Sequence, residues 1–143
     1  GMIRVMATGV FDILHLGHIH YLKESKKLGD ELVVVVARDS TARNNGKIPI
    51  FDENSRLALI SELKVVDRAI LGHEGDMMKT VIEVKPDIIT LGYDQKFDEA
   101  ELQSKINKLG ITVKIVRISK YDGQLNSSSS VRKKIMELIG ERY

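Results

Sequence analysis

Two kinds of apolar pattern alternate along the chain. Short continuous runs rich in Val and Ile, at 3–7, 31–37, 65–71, 87–91 and 111–118, read as five strands. The run at 31–37 is unbroken and β-branched, so it is expected inside the sheet, covered on both faces. Between the runs, apolar residues recur at helical spacing. A helix is predicted over 19–27, one over 53–64 with Leu57, Ile60 and Leu63 inward, and one over 77–84 with Met78, Val81 and Ile82 inward. Leu102, Ile106 and Leu109 form a fourth stripe, and Val131, Ile135, Leu138 and Ile139 a fifth. Gly29 and Gly110 stand where C-caps are expected, Pro86 halts a helix, and Asp52, Asp76 and Asp98 stand where N-caps are expected. Such alternation predicts one α/β domain over residues 2–143, with a five-stranded parallel sheet of order 3-2-1-4-5 and helices on both faces.

In such sheets ligands bind at the carboxyl ends of strands, and one turn there holds most of the candidate chemistry. Thr8-Gly9-Val10-Phe11-Asp12-Ile13-Leu14-His15-Leu16-Gly17-His18 joins the first strand to the first helix. A helix start offers unpaired N–H groups and a positive dipole end, which suits a phosphate. His15 and His18, three apart, project from one side of that first turn and can donate hydrogen bonds to phosphoryl oxygens as charge builds on them. Gly17 between them lets a ligand approach the backbone. A zinc pair lacks support: the chain has no Cys, no acidic residue stands between the histidines, and no third ligand is near in sequence.

Further candidates sit after other strands. Residues 38–49 are polar and turn-rich, with Arg38, Arg43 and Lys47; they read either as a basic loop that closes over a triphosphate or as a solvated connection. Arg56, on the helix that follows, reads as a surface partner of Glu53. Asp94 follows the fourth strand and is expected to face the histidine turn, where a carboxylate can accept a ribose hydroxyl or help to hold Mg²⁺. Tyr121, past the fifth strand, can stack on a base or stand as an exposed loop residue. The run Ser127-Ser128-Ser129-Ser130 caps the last helix.

Composition narrows the classes. With 143 residues the chain has the size of one domain, and 43% hydrophobic against 29% charged residues is the balance of a soluble globular protein. A net charge of +2, with cations dispersed, gives no electrostatic case for nucleic acid or membrane as partner. No apolar run approaches membrane-spanning length, no signal peptide is read, and Gly1 before Met2 reads as an expression scar. The absence of Cys excludes disulfides and thiolate nucleophiles, and the expected location is cytoplasmic.

Gly9-Val10-Phe11-Asp12 followed by His15-Leu16-Gly17-His18 resembles the HxGH signature of the nucleotidyltransferase superfamily, in its cytidylyltransferase-like branch, and Ser127-Ser128-Ser129-Ser130-Val131-Arg132 resembles its second motif. The resemblance implies a Rossmann-like fold and a nucleoside triphosphate bridging the two motifs. In that reading the histidines contact phosphates, the serines hold the β and γ phosphates, and Arg132 meets their charge. The chemistry implied is in-line attack on the α-phosphorus with loss of pyrophosphate, aided by a divalent metal such as Mg²⁺. Segments including Leu28-Gly29-Asp30-Glu31-Leu32 and Leu91-Gly92-Tyr93-Asp94-Gln95-Lys96-Phe97-Asp98-Glu99 are similar to the archaeal FAD synthases, whose substrates are ATP and FMN. The ATP contacts this implies are Gly9, Val10, Phe11, His15, Leu16, Gly17, His18, Asp94, Tyr121, Ser127, Ser128 and Ser129, with Lys47 and Arg56 as further phosphate contacts; His15, His18 and Arg132 carry the catalysis. Relatives of this kind often form homodimers. Two alternatives stand beside this reading: a cytidylyltransferase acting on glycerol 3-phosphate or another alcohol phosphate, and a non-catalytic nucleotide-binding domain. The segment 117–128 is longer than the Arg-Thr-Glu-Gly-Ile-Ser-Thr pattern of the glycerol-3-phosphate cytidylyltransferases, which favours FMN adenylylation.

Overall fold

The computed structural model describes residues 1–142. In chain order its elements are β1 (Arg4–Gly9), α1 (Leu16–Lys26), β2 (Glu31–Val36), α2 (Asp39–Asn44), α3 (Glu53–Ser61), β3 (Arg68–Leu71), α4 (Met77–Val84), β4 (Ile88–Leu91), α5 (Glu99–Lys108), β5 (Lys114–Arg117) and α6 (Ser128–Arg142). All strands pair in parallel, in the order β3-β2-β1-β4-β5. The expected Rossmann-like sheet is therefore observed, with β1 central and its carboxyl end at the point where the winding reverses.

Side chains of a strand alternate between faces, and the core divides accordingly. Val5, Ala7, Val34 and Val36 pack with Leu22 of α1 and Ile60 of α3 on one face. Met6, Val33, Val35, Ile89 and Leu91 pack with Val81 of α4 and with Leu102 and Ile106 of α5 on the other. Asp52, Asp76 and Asp98 cap α3, α4 and α5 by accepting from the N–H groups of Ser55, Met78 and Glu101. Gly110, at φ +71°, closes α5 in the left-handed conformation expected of it.

Several expectations are corrected. Residues 39–44 form a short helix, α2, inside the segment read as a loop; Ala42 is buried there although the surrounding residues are polar. Gly29 is not a left-handed cap. A Cβ on it would lie 2.7 Å from Ile3 O and 2.8 Å from Val5 Cγ2, so it is the closeness of β1 that calls for glycine. Ile82 points outward, and Thr80 and Val84 take the buried positions beside Val81. The stripe on α6 also differs from expectation: Val131 is half-buried, but Ile135, Leu138 and Ile139 are exposed, with Met136 beside them at 68% exposure. Leu109 is exposed at the end of its stripe. Among the described residues, no helix is long and apolar enough to cross a membrane.

Candidate active site

The turn after β1 is built by packing. Phe11 adopts φ +53°, a conformation that costs a non-glycine residue about 1–2 kcal/mol, and its buried ring lies against His18 and Tyr21 at 5.5 and 6.4 Å between centroids. Gly9 makes this possible, since a Cβ there would stand 2.8 Å from the Phe11 ring. Tyr21 then locks α1 to the sheet: its hydroxyl accepts from Thr8 N–H and donates to Thr90 O. Burial pushes the phenol up to about 12, so it keeps its proton.

His15 is the N-cap of α1, and its Nδ1 accepts the Gly17 N–H at 3.0 Å. His18 Nδ1 accepts the His15 N–H at 3.2 Å, completing a capping box made of two imidazoles whose rings stack at 3.8 Å. A neutral imidazole that accepts at Nδ1 carries its proton on Nε2, so both side chains are fixed as Nε2–H donors. Burial, then the nearby His15 and Lys47, lower His18 to about 3, against the pull of Asp12; burial lowers His15 too, against Asp94. Both rings are therefore neutral near pH 7. His15 Nε2 is buried and has no hydrogen-bond partner among the described residues, a donor that a phosphate oxygen would satisfy.

The other candidates fall around this pair. Gly17 does not leave open space: a Cβ on it would stand 2.3 Å from Asn126 O, so the approach to α6 fills that room. The starts of α1 and α6 thus lie side by side. Ser127 caps α6, its Oγ accepting from Ser130 N–H and its carbonyl from Val131 N–H, while Ser129 is exposed with its Oγ 3.2 Å from Ser127 Oγ. Ser128 lines a narrow crevice with Asp12, Ile13 and Arg132, and Arg132 Nη2 stands 3.7 Å from Asp12 Oδ2. Asp94 and Lys47 are both exposed, each close enough to one imidazole to influence its protonation. Leu16 is 59% exposed on the rim. Val10 turns its carbonyl inward to Arg56. Tyr121 is half-buried, its ring 5.6 Å from that of His20 and pressed over Gly123.

Arg56 departs from its expected role. It is wholly buried and donates to Phe51 O, Val10 O and Ala37 O at 3.0, 2.8 and 2.6 Å, and to Asp39 Oδ1 at 2.7 Å. A guanidinium so engaged ties three loops together and is not turned toward a phosphate. Arg38 is likewise tied to the scaffold, donating to Gly72 O and Glu53.

Two site residues went unassigned in the sequence reading. Asp12 is buried, accepts the Ile50 and Phe51 N–H groups at 2.8 and 2.9 Å, and so pins the segment that follows Lys47 beside the histidine turn. Its signal was present, a lone carboxylate within the apolar first motif. Arg117 holds the loop after β4; a cation closing an apolar strand was the hint.

Residues 6–134 match the family model described as cytidylyltransferase-like. A protein of Thermoplasma acidophilum named FAD synthase is 82% identical over 142 residues, covering 99% of this chain and all of that one. FAD synthases of Picrophilus torridus and Aciduliprofundum boonei are 59% and 56% identical, over 94% and 99% of this chain and 97% and 96% of theirs. A crystal structure of an Archaeoglobus fulgidus protein of unknown function superposes with a TM-score of 0.67 at 18% identity, covering 82% of this chain and 90% of that one, and supports the fold alone.

Proposed function

The chain belongs to the cytidylyltransferase-like family, and from that premise we propose that it is an FAD synthase, transferring AMP from ATP to FMN with release of pyrophosphate. The observation that carries this reading is the 82% identity along the full length of a protein bearing that name. A phosphate oxygen of FMN bonds to the α-phosphorus of ATP, and the bond from that phosphorus to its bridging oxygen breaks. Pyrophosphate leaves with the electron pair. No covalent intermediate is needed, so the protein contributes position and charge.

The roles given to the residues follow from their chemistry. Neutral Nε2–H groups of His15 and His18 donate to the oxygens of the α-phosphorus, where they stabilise growing charge without bringing a competing proton equilibrium. Ser127, Ser128 and Ser129 at the start of α6, with Arg132, take the outer phosphates, and Lys47 adds a cation from the other side. Gly9, Val10, Phe11, Leu16 and Gly17 shape the turn, and Asp94 and Tyr121 border the nucleoside. Among the described residues no three His, Asp or Glu side chains gather as a metal cluster, but Asp94 is exposed beside His15. That donor set fits Mg²⁺, which takes most of its ligands from phosphate and water; Asp94 would hold it, and the ion would neutralise phosphate charge. A cytoplasmic enzyme working as a homodimer completes the reading, and the support for the dimer is the exposed apolar face of α6.

Pyrophosphate release from ATP or CTP, each paired with FMN or glycerol 3-phosphate, tests the proposal. Turnover with ATP and FMN is expected. Turnover confined to CTP and glycerol 3-phosphate would overturn it.

A further inference from the structure

Loop 92–98 has no regular structure between β4 and α5, yet three of its carbonyl oxygens converge on one guanidinium. Arg117 donates through Nη1 to Gly92 O at 2.8 Å and to Gln95 O at 2.7 Å, and through Nη2 to Phe97 O at 3.3 Å. Its Nε reaches Glu99 Oε1 at 2.9 Å, in the first turn of α5. Carbonyl dipoles aimed at a common centre repel one another, so this loop shape depends on a cation at that centre. A planar fork with five N–H groups serves four acceptors together, which the three N–H groups of an ammonium cannot match in geometry. The pairing of Leu91 with Arg117 in the sheet sets the guanidinium beside the point where the chain leaves β4.

Gln95 fastens the same loop from its other side. Its side-chain Oε1 accepts the Gly92 N–H at 2.6 Å, and its side-chain Nε2 donates to Thr8 O of β1 at 3.0 Å. The loop is thereby joined to the strand that leads into the histidine turn, one residue before Gly9. Between the two fastenings stand Tyr93 and Asp94, both exposed at the carboxyl edge of the sheet. Loop 119–126, which enters the serine-capped helix, follows β5, the neighbour of β4 in the sheet, so both loops lie on the same flank of β1.

Resting on the transfer reaction proposed above, we infer that Arg117 is a positioning residue: through the carbonyls of loop 92–98 it holds Asp94 beside the histidine turn and so sets the affinity for the nucleoside triphosphate. Arg117 touches no substrate itself. Its effect passes through Asp94.

The test compares Arg117→Met, Arg117→Lys, Asp94→Ala and the Arg117→Met/Asp94→Ala double variant in the full chain. Calorimetric binding of a non-hydrolysable ATP analogue is measured first, because it stands even if FMN proves the wrong acceptor; KM values for ATP and FMN follow. Arg117→Met is expected to weaken analogue binding and raise the ATP KM about tenfold, with the FMN KM within about twofold and the lysine variant in between. In the double variant the two losses should fall well short of multiplying. Should Arg117→Met fail to fold, Gln95→Leu replaces it in the same cycle, with the same split expected. Analogue affinity within about twofold of the unmodified chain, equal rises in both KM values, or losses that multiply would each overturn the inference. Loss of FMN turnover by the unmodified chain would instead strike the proposed function.

Discussion

The proton of an imidazole can sit on either ring nitrogen, and at His15 and His18 the backbone makes the choice by presenting an N–H to each Nδ1. Replacing His18 by Ala removes one of the two proposed transition-state donors. Turnover with saturating ATP and FMN is expected to fall about a hundredfold, as measured by pyrophosphate release, with the fold intact by circular dichroism. The same variant has a stability signature. His18 is lowered from 6.5 to about 3 in the folded chain, so between those values the unfolded chain takes up a proton that the folded chain refuses. The contribution of neutral His18 is complete above 6.5 and fades as the pH falls toward 3. Urea midpoints should therefore drop between about pH 7 and pH 5 in the unmodified chain, and drop less steeply in His18→Ala. The histidine spacing was legible because three residues along a helix share a face whatever the rest of the molecule does. What the spacing did not convey was their neutrality, which follows from burial.

Among elements, α3 shows where reading along the chain falls short. Its cap at Asp52 and its inward residues Leu57 and Ile60 follow from local rules. Arg56 does not, because its three carbonyl partners come from the ends of β1 and β2 and from the segment before α3, a convergence that exists only after the strands are paired. Arg56→Leu is expected to lower unfolding free energy by roughly 3–5 kcal/mol in urea titration, since it strips partly buried carbonyls of their donor and leaves Asp39 unpaired. A surface arginine would give a change near zero. Gly29 teaches the same lesson from the opposite side: local logic read a helix cap, but the close passage of β1 explains the glycine.

For the whole molecule, strand order decides which loops meet. Placing β1 between β2 and β4 brings the segment after β2, with Lys47, to one flank of the histidine turn and loop 92–98 to the other. The proposed dimer belongs to this scale. Ile135, Leu138 and Ile139, which helix periodicity assigns to the core, are exposed, and Met136 at 68% exposure extends the apolar face they leave on α6. Sedimentation of the unmodified chain should show a dimer, and Met136→Glu combined with Ile139→Glu should shift it to the monomer. A monomer at every concentration of the unmodified chain would remove the homodimer from the reading.

Hydrophobic periodicity settled the strands and every helix except α2, with their order along the chain, because the burial of one face is a property that each segment carries in its own sequence. Two short motifs marked the chemistry for the same reason, as their geometry is that of a single helical turn. Tertiary structure alone decided that Arg56 is scaffold, that Gln95 fastens loop 92–98 to β1, and that α6 stands outside the core. Each of those outcomes depends on backbone groups from distant segments meeting at one point, and no pattern within a segment encodes where another segment's carbonyls will lie.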